Sequence, residues 1–158
     1  MLNIAMNHYK IKKSNSDIKK AFYLAEDGLN RAYLRIFDLI CEALEDSVEK
    51  ADEYLYLNPE DITGASNIFS NNYKLYILSY IIIRVHNNVN PYTEVRNTSS
   101  LIFVNDKLTV KINSKYLSES GIEKSTAADI IISTPDYIDI KAGTINYISL
   151  ICFGKFDL

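Results

Sequence analysis

The sequence predicts an α+β fold, with one long N-terminal α-helix packed on an antiparallel β-sheet head. Three observations predict it. Apolar positions recur at spacings of three and four from Ile18 to Leu55. No proline occurs before Pro59. Beyond residue 100, short β-branched runs alternate with turn signals. A single helix followed by a run of strands segregates helix from sheet.

The helix comes first. Ile18, Phe22, Ala25, Leu29, Ala32, Ile36, Ile40, Ala43, Val48, Ala51 and Leu55 trace one stripe. Gly28 is the weak position, costing about 1 kcal/mol relative to Ala. The end is expected near Asn58-Pro59, because proline disfavours helical geometry in the residue before it. About 40 helical residues reach about 60 Å, twice the diameter of a small domain. Part of such a helix must project or pack on other chains. Its opening is apolar (Leu2, Ile4, Ala5, Met6, Tyr9) and then basic (Lys10, Lys12, Lys13, Lys19, Lys20). That order is how a transmembrane helix emerges into water, so residues 1–13 are expected to continue a truncated transmembrane helix. An ordinary amphipathic helix start is the alternative.

The head is expected to be β-rich. Residues 58–72 read as a loop, with Pro59, Gly64, Ser66 and a pair of Asn. Residues 73–85, dense in aromatic and β-branched side chains, read as a strand. Residues 87–100 read as a polar connection. Residues 101–104 and 108–112 flank Asn105-Asp106, a hairpin. Gly121 marks a turn, and residues 129–133, 137–141 and 145–153 are three further strand expectations, split by Pro135 and Gly143. The division is therefore 1–57 for the helical spine and 58–158 for the head, within one structural domain.

Composition excludes more function classes than it supports. The chain has 158 residues, 47% hydrophobic and 23% charged, with formal net charge −3. That balance leaves no bulk basic footprint for nucleic acid. Two His and two Cys in no CxxC, HExxH or HxH pattern argue against zinc. Five scattered glycines build no phosphate-cradling loop, and no nucleophile, base and acid set can be named. Asp129, Asp136 and Asp139 do not follow calcium-loop order. His86, after an expected strand, reads as a turn residue. The expectation is a protein that is no enzyme and needs no cofactor, metal or small-molecule substrate.

One stretch carries a resemblance. Residues 21–32 read Ala-Phe-Tyr-Leu-Ala-Glu-Asp-Gly-Leu-Asn-Arg-Ala. They resemble the Ala-x-x-Ala-Glu-x-Gly-Leu-x-x-Ala stretch of minor type IV pilins of the PilX N-terminal kind, with Asp27 where that pattern usually has Ala. The match covers about a dozen residues, and nothing in the head extends it. The resemblance implies a structural minor pilin acting in pilus initiation or a tip complex. It implies other minor and major pilins as partners, membrane anchoring through the truncated helix before assembly, and a final place on the cell surface. Ala21, Phe22, Ala25, Gly28, Leu29 and Ala32 are then expected to form a filament or partner interface, the small residues allowing close helix approach. On that reading Gly28→Leu leaves the head folded and blocks incorporation into filaments.

Charge is segregated in the same direction. Residues 1–20 carry five Lys against Asp17, whereas residues 38–61 carry nine acidic residues against Lys50. Staggered subunits could pair the two stretches, which would guide register more than affinity; two solvated helix faces are the alternative. An extracellular setting would permit a disulfide between Cys41 and Cys152, and free thiols in or near the core are the alternative. The other function class is a membrane-tethered or secreted binding module whose head recognises a surface ligand such as a glycan. Tyr73, Tyr76 and Tyr80 would not share one face of a strand, which weakens that reading.

Overall fold

A computed structural model describes residues Leu2–Asp157; the side chains of residues 2–5, 7, 8 and 154–157 lie outside the described residues, and with them Leu2, Ile4 and Ala5 of the apolar opening. Helix α1 (Leu2–Leu57) is 56 residues long, about 84 Å at 1.5 Å per residue. A short turn leads into α2 (Ile62–Val85). The chain then forms β1 (Tyr92–Val95), β2 (Phe103–Val104), β3 (Lys107–Leu117) and β4 (Glu123–Ser133), a five-residue helix α3 (Tyr137–Lys141), and β5 (Ile151–Asp157). The sheet has five antiparallel strands in the order β1-β3-β4-β5, with β2 also pairing β3. The expected architecture is therefore present: an α+β protein whose long N-terminal helix packs on an antiparallel sheet, consistent with a pilin-like fold.

The hairpins follow their turn chemistry. Asn105 and Asp106 have φ of 49° and 59°, both in the left-handed region that a two-residue I′ turn demands. Gly121, at φ 81°, turns β3 into β4. Along β3 the residues Leu108, Val110 and Ile112 are buried while Thr109 and Lys111 face water, so one sheet face meets the helices and the other is open.

Five expectations are corrected. Residues 73–85 are not a strand but the second half of α2. Their buried residues are Tyr73, Ile77, Ile81 and Val85, continuing Ala65 and Phe69 at intervals of four, a helical and not a strand period. The expected loop at 58–72 shrinks to the turn before Asp61, whose carboxylate accepts from the Gly64 amide at 2.8 Å and caps α2. Residues 137–141 form α3 because Asp136 caps them, accepting from the Ile138 amide at 2.8 Å. Residues 147–150 make a 3₁₀ turn, so the last strand starts only at Ile151. The connection at 87–100 also contains β1, which pairs with β3.

The core has two storeys along α1. Leu29, Ala32 and Ile36 lie over the sheet with Val110, Ile112, Ala128 and Ile130. Further along, Ala43, Ser47 and Ala51 meet α2, where Ala65, Phe69 and Tyr73 are fully buried. The small residues let the two helices approach closely. The buried Ser47 hydroxyl donates to the Ala43 carbonyl at 2.6 Å and so leaves no unpaired polar group there. Burial pushes the Tyr73 phenol up, and its hydroxyl donates to the Ser133 carbonyl at 3.2 Å.

Candidate assembly surfaces of the long helix

Five of the six residues expected to meet a filament neighbour are buried inside the chain itself. Ala21, Ala25, Leu29 and Ala32 are buried, Gly28 is buried with them, and Phe22 is half-buried. A Cβ at Gly28 would overlap the Ser114 hydroxyl and lie 3.1 Å from Pro91. At Gly28 the surface closely approached is Ser114 of β3 and Pro91 of the same chain. Thr93, Ser114 and Thr126 lie side by side in register across β1, β3 and β4 and are all buried. Their short side chains leave room for the helix backbone. In the single chain this face is covered by the sheet.

The exposed face of α1 is a different stripe. Tyr23 is 65% exposed and Leu34 is 59% exposed. Upstream, every residue from 9 to 16 is exposed, including Lys10, Lys12 and Lys13. Tyr9 (68%) and Ile11 (58%) are bare apolar groups within that stretch. Lys13 and Lys20 still line a shallow polar hollow with Tyr116 and Glu119 beside the β3–β4 turn.

Towards its C-terminal end, α1 borders an apolar groove of about 540 Å³. Phe37, Cys41, Leu44 and Val48 line it from the helix, and Ile140 and Tyr147 from the segment after β4. Glu45 and Glu49 stand at its edge. Nearby, the Tyr33 ring stacks on Phe153 of β5 at 4.7 Å.

About half of the acidic stretch is used internally. Glu42 pairs with Arg84 of α2 and accepts from the Tyr76 hydroxyl at 3.4 Å. Asp46 pairs with Lys50 at 2.6 Å. Asp52 accepts from the Tyr137 hydroxyl at 2.5 Å and from Lys141 at 2.9 Å, tying α3 to α1. The Tyr137 hydrogen bond and Lys141 hold the Asp52 carboxyl below its ordinary range. Burial, reinforced by the Asp52 carboxylate, pushes Tyr137 up to about 12. Asp38, Glu45 and Glu49 have no ion-pair partner among the described residues.

Cys41 and Cys152 are both free thiols. Cys152 is in register with Ile131, between the buried pairs at Ile130 and Ile132, so its side chain points to the open face of the sheet, away from α1. That geometry separates it from Cys41, so of the two alternatives the structure has the free thiols and not the bridge. Burial, with Asp38, Glu45 and Glu42 nearby, pushes the Cys41 thiol up and away from reactivity.

Among the described residues no group of three His, Cys, Asp or Glu could hold a metal ion, and no helix is long and apolar enough to cross a membrane. Tyr76 and Tyr80, one helical turn apart on α2, have ring centroids 4.9 Å apart, so these two do share a face, while Tyr73 turns inward. A polar pocket of about 300 Å³ lies elsewhere, where His86 and Asn88 meet Tyr92, Glu94, Asn113 and Lys115 of the open sheet face. No protein family, curated protein or solved structure matches the chain.

Proposed function

We propose that the chain is a structural subunit of a surface filament, a minor pilin of a type IV pilus acting with other minor and major pilins in initiation or at the tip. The observation that carries this reading is the length of α1. Its 56 residues exceed what the sheet and α2 cover, and residues 9–16 are exposed on every side. The bare stretch leaves Tyr9 and Ile11 uncovered, apolar area that a neighbouring chain would bury. The resemblance of residues 21–32 to the minor-pilin stretch points to the same class. Membrane anchoring before assembly and a final surface location go with it. The test is to tag the chain at its native locus, shear surface filaments from the cells and probe them. Recovery in the filament fraction together with other pilins is the expected result. Exclusion from that fraction, with piliation unchanged on deletion, overturns the reading.

A second reading is a binding module. The pocket around Tyr92, Glu94 and Asn113 combines an aromatic ring with amide and carboxylate groups, the chemistry that holds a sugar. Saturable glycan binding by the chain, lost in Tyr92→Ala, would favour it.

A further inference from the structure

We infer that the solvent-facing stripe of α1 is a docking surface for a second copy of this chain, running antiparallel with its two-fold axis near residue 29. Counted along the helix, exposed positions follow one stripe from Tyr9 to Glu49 (Tyr9, Lys13, Ser16, Lys20, Tyr23, Arg31, Leu34, Asp38, Glu45 and Glu49), with half-buried Asp27 and Glu42 filling its two longer intervals. In an antiparallel pair centred there, each residue meets the one whose number completes a sum of about 58. Lys13 then faces Glu45, and Lys20 faces Asp38. Asp27 faces Arg31, so that the intrachain pair between them, at 2.7 Å, joins its copy across the axis. Each of these three contacts occurs twice by symmetry. Lys13, Lys20, Asp38 and Glu45 are all exposed and have no ion-pair partner among the described residues. On this stripe the register opposes no like charges. A parallel, in-register pair would set Lys13 on Lys13 and Glu45 on Glu45.

The apolar parts agree with the charges. Tyr23, 65% exposed, meets Leu34 of the other copy, 59% exposed, on each side of the axis. The groove beside Cys41, Leu44 and Val48 lies opposite residues 10–17 of the second copy. Lysine stems there cover the apolar floor while their ammonium groups reach Glu45 and Glu49 at its edge. The stretch with no cover and the groove with no occupant are thus placed to satisfy each other. Exposed ion pairs contribute little affinity singly, so they set register while buried area supplies the attraction. The pairing does not rest on the filament reading: in a filament whose subunits point one way this contact is absent, and the dimer is a state of the chain outside it.

The test uses the whole chain with Cys41→Ser and Cys152→Ser, spin-labelled at Asn30→Cys or Glu53→Cys. An antiparallel dimer places the two Asn30 labels within about 20 Å and the two Glu53 labels about 72 Å apart, from 1.5 Å per residue. Sedimentation should show the dimer weakened at least about ten-fold by Lys13→Glu with Lys20→Glu, and restored to within about three-fold by adding Asp38→Lys and Glu45→Lys. A chain that stays monomeric at millimolar concentration overturns the inference. Equal separations at both labels, the mark of parallel copies, overturn it, as does failure of the charge swap to restore pairing. Filament recovery is scored separately, so either proposal can fall alone.

Discussion

The two ends of α1 belong to one unbroken helix and live in different surroundings. From Ala21 to Ala51 a buried residue recurs every three or four positions, against the sheet and then against α2. From 9 to 16 every residue faces water. The same helical geometry therefore has two causes. In the packed stretch apolar burial stabilises it, at about 25 cal/mol per Å² removed from water. In the exposed stretch it persists because propagation from a formed helix needs no new nucleus. Shape is continuous along α1; stability is not.

The sharpest way to break this comparison is one truncation made in both regions. Leu39→Ala removes a fully buried side chain and should cost about 2–5 kcal/mol. Ile11→Ala, in the bare stretch, should change stability by less than about 0.5 kcal/mol. Urea denaturation of both variants checks the pair, and equal losses would mean that the bare end is packed after all.

A smaller effect is expected at Gly28. A leucine there must displace Ser114 and Pro91, so Gly28→Leu should destabilise by about 1–3 kcal/mol, whereas Tyr23→Ser, one turn away and exposed, stays within about 0.5 kcal/mol. This reverses the sequence expectation that Gly28→Leu spares the fold. Thermal melts of dilute protein distinguish the two outcomes.

Asp52 offers a gentler probe of the packed half. Its pKa is held down by Tyr137 and Lys141, so its contribution is present above the unfolded carboxyl value near 4 and is lost as pH falls through the lower folded value. Asp52→Asn should cost under about 1 kcal/mol at neutral pH, because the group is partly exposed, and should flatten the acid limb of the stability profile. The mildest contrast is chemical. Cys152 should react with a thiol reagent well before Cys41, which is half-buried and pushed up by burial and its acidic neighbours. Timed alkylation read by mass spectrometry decides it.

Where one force dominates locally, the sequence is legible. The α1 stripe, the Asn105-Asp106 hairpin and the Gly121 turn were all readable, because period and turn chemistry point one way. Helix α2 was not, since the Ile81-Ile82-Ile83 run and its tyrosines have strand propensity. Tertiary burial at Ala65, Phe69, Tyr73, Ile77, Ile81 and Val85 overrides it. The four-residue recurrence and the cap at Asp61 were the signals available. At residues 21–32 the small side chains include Gly28, which approaches Ser114 and Pro91 closely. Which surface they approach depends on Ser114, 86 positions beyond Gly28, and no local pattern carries that.

This separation has a consequence for synthesis on the ribosome. The stretch of α1 that packs on α2 gains its cover soon, because α2 follows after a four-residue turn. The stretch that packs on the sheet waits until β4 has emerged, about a hundred residues later. Throughout that interval Ala25, Leu29 and Ile36 are an apolar ridge on a nascent chain. During translation it is the sheet-facing half of α1, not the bare N-terminal end, that most needs a chaperone.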